Sequence, residues 1–516
     1  MRSPLPPAPS GSPIRGWLCA ATTGVLLGFS FPPYPFAALA WGALVPLLWR
    51  WTRVDSMRRF VCEVYGAFFL AFGIAFHWVA FHADPITALA SVGGLLLGAL
   101  AFTLPWVVAS WIRGALGAAA ALTGLVATHV SIEWLLGQGE WALPWILLGH
   151  SQATATPMNQ MADLVGVPGL TLWLWGINLA LFGIVTAGIR WRYVAILALL
   201  VTGPWTYGSY QSADRYVTDT STEAIIVQPG VEAPDWADLH DQTRVEQLLA
   251  LSDSTLRAHG AAVDVVIWPE TALPAFPTAA ERQALAARLQ AWTEAHNVSL
   301  LTGANIPLEP EVSRPVFANV ALHVAPHVPP VRYDKLHLVP FAERVPFVDR
   351  FPALRALTVP AGGIATYRPG TQVHPLSIGA AHVGVQICFE SVFGAHGRAL
   401  VSPPDPADFL VVLSHDGWWG ATLGHQQHLD FTRLRAIETR RPVAMVTVSG
   451  TTALIEPDGQ STLEIGWMDA RAEQVTIPHT TGDTIYTRYG DMISPLGLAT
   501  VLGLVLAAAI RRLRRP

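Results

Sequence analysis

Lysine is almost missing from this chain of 516 residues: Lys335 is its one lysine among 32 basic residues, and arginine fills every other basic position. An arginine serves a solvated face as well as a lysine does, but only an ammonium is a compact point charge whose proton affinity responds to burial and neighbours. A chemical role for Lys335 therefore follows as an expectation. Cysteine is scarce too, with three residues, Cys19, Cys62 and Cys388, which excludes a disulfide framework. Charged residues make up only 13%, about half of the ~25% of a soluble domain, so much of the chain belongs in lipid. The net charge of -5 and the absence of a long basic run exclude nucleic acid as a partner class.

Hydrophobic residues account for 52% of the chain and include 20 tryptophans. They concentrate before residue 208 and after residue 492, which divides the chain into N-terminal transmembrane helices (1–208), a soluble section (209–490), and a C-terminal transmembrane helix with a basic tail (491–516). A helix crosses a bilayer in ~20 apolar residues, and about eight such spans are expected. They are GWLCAATTGVLLGFSF, FAALAWGALVPLLWRW, FVCEVYGAFFLAFGIAFHWVAF, ITALASVGGLLLGALAFTLPWVVASW, AALTGLVATHVSIEWLL, LTLWLWGINLALFGIVTAG, YVAILALLVTGPWTYG and SPLGLATVLGLVLAAAI. The first also reads as a signal peptide, though no small-residue cleavage site is obvious. Arg2, Arg15, Arg50, Arg53, Arg58, Arg59, Arg113, Arg190, Arg192 and the closing RRLRRP fall on one side of an even number of crossings. Positive loops stay cytoplasmic, so both termini are expected inside. The PPYP and AFHADP turns, the 137–165 loop and the soluble section are expected outside. Cys388 is then a lone thiol in an oxidising compartment, either buried and inert or kept for its chemistry.

Within 223–480, β-branched runs (EAIIVQ, DVVIWP, VSLLTGA, ANVALHV, HVGVQICF, DFLVVLS, PVAMVTV, TALIEP, EQVTI) alternate with the helical patterns TRVEQLLALSDSTLRAHG, TAAERQALAARLQAWTEAHN and HQQHLDFTRLRAIETR. This interleaving predicts a layered α/β domain. Glu270 ends the run DVVIWPE, Lys335 lies in the turn after VRYD, and Cys388 ends HVGVQIC. Strand ends are where α/β folds gather reactive groups. A carboxylate to take a proton, an ammonium to hold an anion and a thiol to attack a carbonyl make one machine. Taken singly, each has a plainer reading as a loop acid, a surface cation or a small core residue.

The order VVIWPETALP, YDKLHLVPFAERVPF, VGVQICFESVF, HDGWWG and RAIETRRP resembles the nitrilase superfamily, which implies an αββα sandwich carrying a Glu–Lys–Cys triad. With spans on both flanks, KLHLVPFAERVPF and CFESVF resemble more closely the apolipoprotein N-acyltransferase family of the bacterial inner membrane. That resemblance extends to SIEW, GEWALPWILLGHSQ and YTRYGD. It implies Glu270 as general base, Lys335 as oxyanion and thiolate stabiliser, and Cys388 as nucleophile. Glu343 matches a further acid that orients the lysine, and Glu390 matches another acid near the cysteine. Three stretches depart from the family pattern: His415 replaces an asparagine, Phe389 a tyrosine, and VTVSGTTALI lacks the usual asparagines. His415 reads as a core or loop histidine.

The implied reaction is a two-step acyl transfer. A phospholipid acyl chain passes to Cys388 as a thioester, with the oxyanion held by Lys335 and the Phe389 backbone N–H. The chain then passes to the α-amino group of a diacylglyceryl-cysteine apolipoprotein. FPTAA, VPFVDRFPALRALTVPAGG and HDGWWG are candidate lids whose aromatic rings rest at the lipid interface, unless Trp418 and Trp419 are core residues. His77, His129 and Glu133 in the spans either meet headgroups or peptide, or bond across helices. His425 and His428 have helical spacing but no third ligand, so neither a metal nor a cofactor is expected. Two alternatives stay open, an anchored amidase with water as acceptor and a non-enzymatic receptor or transporter.

Overall fold

The computed structural model describes residues 13–211, 213–233, 236, 241–259, 262–274, 278–308, 316–357 and 367–514. Arg2, residues 276–277 of the FPTAA segment, residues 358–363 of the second candidate lid and the last two residues of the tail lie outside them. The described residues of the N-terminal part form helices joined by turns. Among the described residues, four helices are long and apolar enough to cross a membrane: Thr87–Leu116, Ala118–Leu136, Met158–Ala187 and Ile493–Leu513. Leu89, Leu97, Leu100, Leu496, Leu502 and Leu506 project outward from them without protein cover, as lipid-facing side chains do.

The other expected spans differ from these in instructive ways. FAALAWGALVPLLWRW divides into a 3-10 turn, Ala37–Trp41, and a helix of 7 residues, Val45–Trp51. At ~1.5 Å per residue this short helix rises only about 10 Å. Pro13–Gly28 has 16 residues. Met57–Ala75 opens on Arg58, Arg59 and Glu63, and Glu63 is buried against Arg50 at 2.8 Å. Trp191–Tyr210 carries Pro204 in its interior.

The soluble section contains two six-stranded sheets. In the first, the order is Arg471–Thr480, Val217–Gln228, Val265–Ile267, Ser299–Pro307, Phe317–Val324, Val331–Asp334. In the second it is Ser461–Ile465, Thr452–Ile455, Val443–Thr447, Phe409–Ser414, Ala381–Ile387, Leu376–Ile378. Each has a parallel centre and antiparallel edges.

Alternation along the strands explains how the layers stack, because successive side chains point to opposite faces. Ala224 and Ile226 pack inward with Val383, Val385, Val411 and Leu413 of the other sheet. Their neighbours Ile225 and Val227 pack outward on Val245 and Leu248 of the helix Asp241–His259. Leu410 and Val412 likewise face Leu429 and Ala436 of Gly424–Thr439. The result is an αββα sandwich. The outer helix Ala279–His296 starts at Thr278, whose side chain accepts from the Glu281 N–H while Glu281 returns a bond, and stops at Asn297 in the left-handed region.

Sandwich and helical bundle meet along a polar seam. Arg440 reaches Asp163 at 2.7 Å and the Gln160 side chain at 2.7 Å. Glu438 accepts the Val167 N–H at 3.0 Å where Gly166 (φ 63) interrupts the helical geometry. Above the seam, Gln427 accepts from the indoles of Trp78 and Trp145 and donates to the Pro32 carbonyl.

Candidate active site

Glu270 follows the strand Val265–Ile267, Lys335 follows Val331–Asp334, and Cys388 follows Ala381–Ile387. The register pairs Asn305 with Asn319, and the Lys335 N–H donates to the Asn319 carbonyl at 2.9 Å, so these residues share one edge of the first sheet. Cys388 and the residues after Ser414 occupy the matching edge of the second. The two edges form a cavity of about 380 Å³ lined by Glu270, Lys335, Glu343 and Cys388 together.

The Lys335 ammonium lies 3.1 Å from Glu270 Oε1 and 2.8 Å from Glu343 Oε1. Asn319 donates to the same two oxygens at 2.7 and 3.2 Å, which fixes both acids around one cation. Glu343 also accepts the Val339 N–H at 2.8 Å. Gly303 allows the Glu270 loop to lie directly on the neighbouring strand, since a Cβ there would stand 2.6 Å from the Glu270 Cα. Cys388 has φ 50 and Thr271, next to Glu270, has φ 52. Left-handed backbone at two non-glycine residues is strain of the kind that gathers at functional sites.

Burial and charge set the proton affinities. Burial raises the Glu270 carboxyl above its ordinary range, against the opposing pull of Lys335. Burial works against the Lys335 charge, but Glu270, Glu343 and Cys388 outweigh it and hold the ammonium well above its usual value. Burial and the Glu270 charge push the Cys388 thiol up, while Lys335 favours the thiolate. The arrangement is a thiol beside a carboxylate of raised basicity and a permanent cation.

The remaining expected residues take different places. Phe389 is buried, stacking on Trp145 with ring centroids 6.4 Å apart and packing edge-on against Phe393. Its backbone N–H sits second in the 3-10 turn Cys388–Val392, among the amides that a helix start leaves without an intrahelical partner. Glu390 points away from the cavity, accepting from Tyr333 Oη at 2.8 Å and from the N–H groups of Leu336, His337 and Ile387 at 2.6, 3.1 and 2.8 Å. It ties the lysine turn to the cysteine strand. His415, expected as a plain core or loop histidine, is buried but lines the cavity, edge-on to Trp418 at 4.8 Å. Burial pushes its pKa down to about 3, so it is neutral.

Sequence reasoning missed His82 and Thr87 of the helical part, and Trp236, Arg244, Asn305, Asn319 and Tyr367, all of which line the cavity. None belongs to a run whose pattern marks it. Trp418 and Trp419 line it too, the first stacked on His82 with centroids 5.7 Å apart, the second edge-on to Trp78 at 4.9 Å. In the bundle, Glu133 accepts from the Leu148 N–H and Thr171 Oγ1, both at 2.7 Å, and His129 packs on Phe102 and Trp175. His77 meets the Ile74 carbonyl at 3.1 Å. His425 meets Thr451, and His428 meets Asp416 and Ser391.

An αββα sandwich with a thiol, an ammonium and a carboxylate at facing sheet edges defines a carbon–nitrogen hydrolase domain, and the family described as carbon-nitrogen hydrolase matches residues 227–486. Residues 23–180 match the apolipoprotein N-acyltransferase N-terminal domain. An apolipoprotein N-acyltransferase of Chlorobaculum tepidum is 30% identical, covering 95% of this chain and 96% of its own. One of Geobacter metallireducens is 28% identical, covering 96% and 95%. An amidase from Nesterenkonia sp. superposes with a TM-score of 0.38 at 17% identity, over 54% of this chain and 96% of its own. The chain belongs to the apolipoprotein N-acyltransferase family, acyltransferases of lipoprotein maturation in the inner membrane.

Proposed function

We propose that the enzyme moves a fatty acyl chain from a membrane phospholipid to the α-amino group of a diacylglyceryl-cysteine apolipoprotein through a thioester on Cys388. The observation that carries this reading is the shared wall of the cavity. Glu270, Lys335 and Cys388 open into a space bounded by His82 and Thr87 of the helical part and by Trp418 and Trp419. Two lipidated substrates need such an opening at bilayer height, whereas a small amide in water does not.

In the first half-reaction Glu270 takes the Cys388 S–H proton and the thiolate attacks the ester carbonyl. Lys335 and the Phe389 N–H receive the oxyanion, and protonated Glu270 returns its proton to the departing lysophospholipid oxygen. In the second, Glu270 takes a proton from the attacking amine, the C–S bond breaks and the amide remains. Glu343 orients Lys335, and Glu390 holds the two backbone turns at their spacing.

Orientation follows the arginines. Arg113 donates to the Trp51 carbonyl at 3.0 Å and Arg512 to the Trp111 carbonyl at 3.1 Å, so these cations share the end of the bundle away from the sandwich. The positive-inside rule then puts that end, and both termini, in the cytoplasm and residues 209–490 outside. An even number of crossings, expected as eight, belongs to this reading; among the described residues four helices are long and apolar enough to cross on their own.

A pulse of phospholipid with a labelled acyl chain, followed by unlabelled lipid and a diacylglyceryl peptide, tests the order of events. Label is expected first on the enzyme and then on the peptide amine. Label that reaches the peptide from a Cys388→Ala enzyme at an unchanged rate contradicts the proposal.

A further inference from the structure

Behind the nucleophile stands a buried carboxylate that the acyl transfer just described leaves without a task. Asp416 has no exposed surface and its charge opposes a thiolate on Cys388. A buried acid beside a nucleophile that must become an anion works against the chemistry on electrostatic grounds alone. Its hydrogen bonds supply another reason for it to be there. Asp416 Oδ1 accepts from the Ser414 hydroxyl at 2.6 Å and from His428 Nδ1 at 2.9 Å. A carboxylate only accepts, so the His428 proton is fixed on Nδ1. The other ring nitrogen meets the Ser391 hydroxyl at 2.7 Å and lies 3.2 Å from the Cys388 carbonyl oxygen. His428 thus braces the turn Cys388–Val392 from beneath. At the thiol end, the parallel register that pairs Ile387 with Leu413 sets Ser414 beside Cys388 on the neighbouring strand, where its hydroxyl favours the thiolate. Burial opposes the Asp416 charge, yet His428 and Ser414 keep its carboxyl below the usual range, as a carboxylate.

These contacts run from the thiol side through Ser414, Asp416 and His428 to the Ser391 hydroxyl, which donates to His428 Nε2 from within the cysteine turn. We propose that Ser414 is a further catalytic residue, donating its hydroxyl to the Cys388 thiolate, and that Asp416 and His428 are positioning residues that hold both Ser414 and the strained cysteine turn. The inference rests on Cys388 as the nucleophile. When the S–H bond breaks and Glu270 gains the proton, Ser414 keeps its own proton and turns its O–H from Asp416 Oδ1 to Sγ. Asp416 Oδ1 stays held by His428 Nδ1–H, so no buried acceptor loses its only donor. The same donor meets the sulfur again when the thioester C–S bond breaks.

The test uses the full chain in detergent with phospholipid and diacylglyceryl peptide, together with iodoacetamide alkylation scored on the Cys388 peptide. Loss of a hydrogen bond to a charged group predicts that Ser414→Ala lowers kcat and the alkylation rate roughly ten- to hundredfold, with KM for phospholipid unchanged. Ser414→Thr keeps the hydroxyl and is expected to restore most of both. Asp416→Asn separates position from charge: removal of the opposing charge alone would speed alkylation, whereas loss of the bracing slows it. Alkylation at the original rate in Ser414→Ala, or faster alkylation in Asp416→Asn, overturns the inference. If the acyl adduct were absent from Cys388 in the unaltered enzyme, the thioester reading itself would fail instead.

Discussion

Lys335 shows how far a single residue can be read from sequence. Its singularity in the chain marks it, and its side chain, 1% exposed, lies between two carboxylates. Lys335→Arg keeps the charge but spreads it over a planar fork that cannot occupy a pocket shaped for one nitrogen. Acyl-enzyme formation in that variant is expected to fall by at least ~10²-fold, the usual cost of losing an oxyanion donor, measured by the rate of label transfer to the protein. In the proposed mechanism Glu270 sets the pH dependence. Its carboxyl is raised by burial above its ordinary 4.5, and it must be ionised to take the thiol proton. Acylation should therefore be lost as pH falls through a midpoint above 4.5, and a rate profile flat through that window would contradict the role. The grouping of these three residues was legible because Glu270 and Cys388 each end a β-branched run and Lys335 is the one lysine of the chain. His415, Asn319 and Ser414 were not, since each lies in or beside a strand where polar and apolar readings look alike and only the folded edge shows what it faces.

At the scale of elements, Glu390 joins the lysine turn to the cysteine strand through four accepted hydrogen bonds. Glu390→Ala takes the acceptor from the buried Tyr333 hydroxyl and Ile387 N–H, and with ~1–3 kcal/mol for each unsatisfied group a destabilisation of about 2–6 kcal/mol is expected in denaturant unfolding. A change below ~1 kcal/mol would show that the clamp is replaceable. Nearby, burial and the facing His396 push His337 down to about 4, and burial pushes His396 to about 4, both from an ordinary 6.5. The folded chain therefore keeps both neutral where the unfolded chain takes up protons. Their contribution to stability is full above pH 6.5 and is lost as pH falls toward 4. His396→Gln should reduce proton uptake on unfolding at pH 5 by about one, read from the pH dependence of the unfolding free energy. Nine strands were legible as β-branched runs. Leu376–Ile378, Val331–Asp334 and Ser461–Ile465 escaped because they are short edge strands with mixed burial, where hydrophobic patterning is weakest.

For the whole molecule, what matters is that the cavity belongs to neither part alone. The Arg440–Asp163 pair at 2.7 Å, with both side chains buried, ties the sandwich to the bundle. Breaking a buried pair leaves an uncompensated charge, which costs ~3–5 kcal/mol. Arg440→Ala should lower thermal stability and transfer activity together, while Cys388 in an isolated proteolytic fragment would stay unacylated. The two-part organisation was legible from where the apolar residues concentrate. The number of long spans was not, because apolar composition does not reveal that Val45–Trp51 is only 7 residues long or that Glu63 is neutralised by Arg50 within the protein.

The central claim is that the acyl chain rests on one sulfur atom between donor and acceptor. Peptide mapping by mass spectrometry after incubation with phospholipid, in the absence of acceptor, tests it most directly. The predicted result is one fatty acyl group on the peptide containing Cys388, released by neutral hydroxylamine and absent from Cys388→Ser when treated alike. An acyl group found elsewhere, or full transfer activity in an enzyme on which no adduct ever forms, would contradict it.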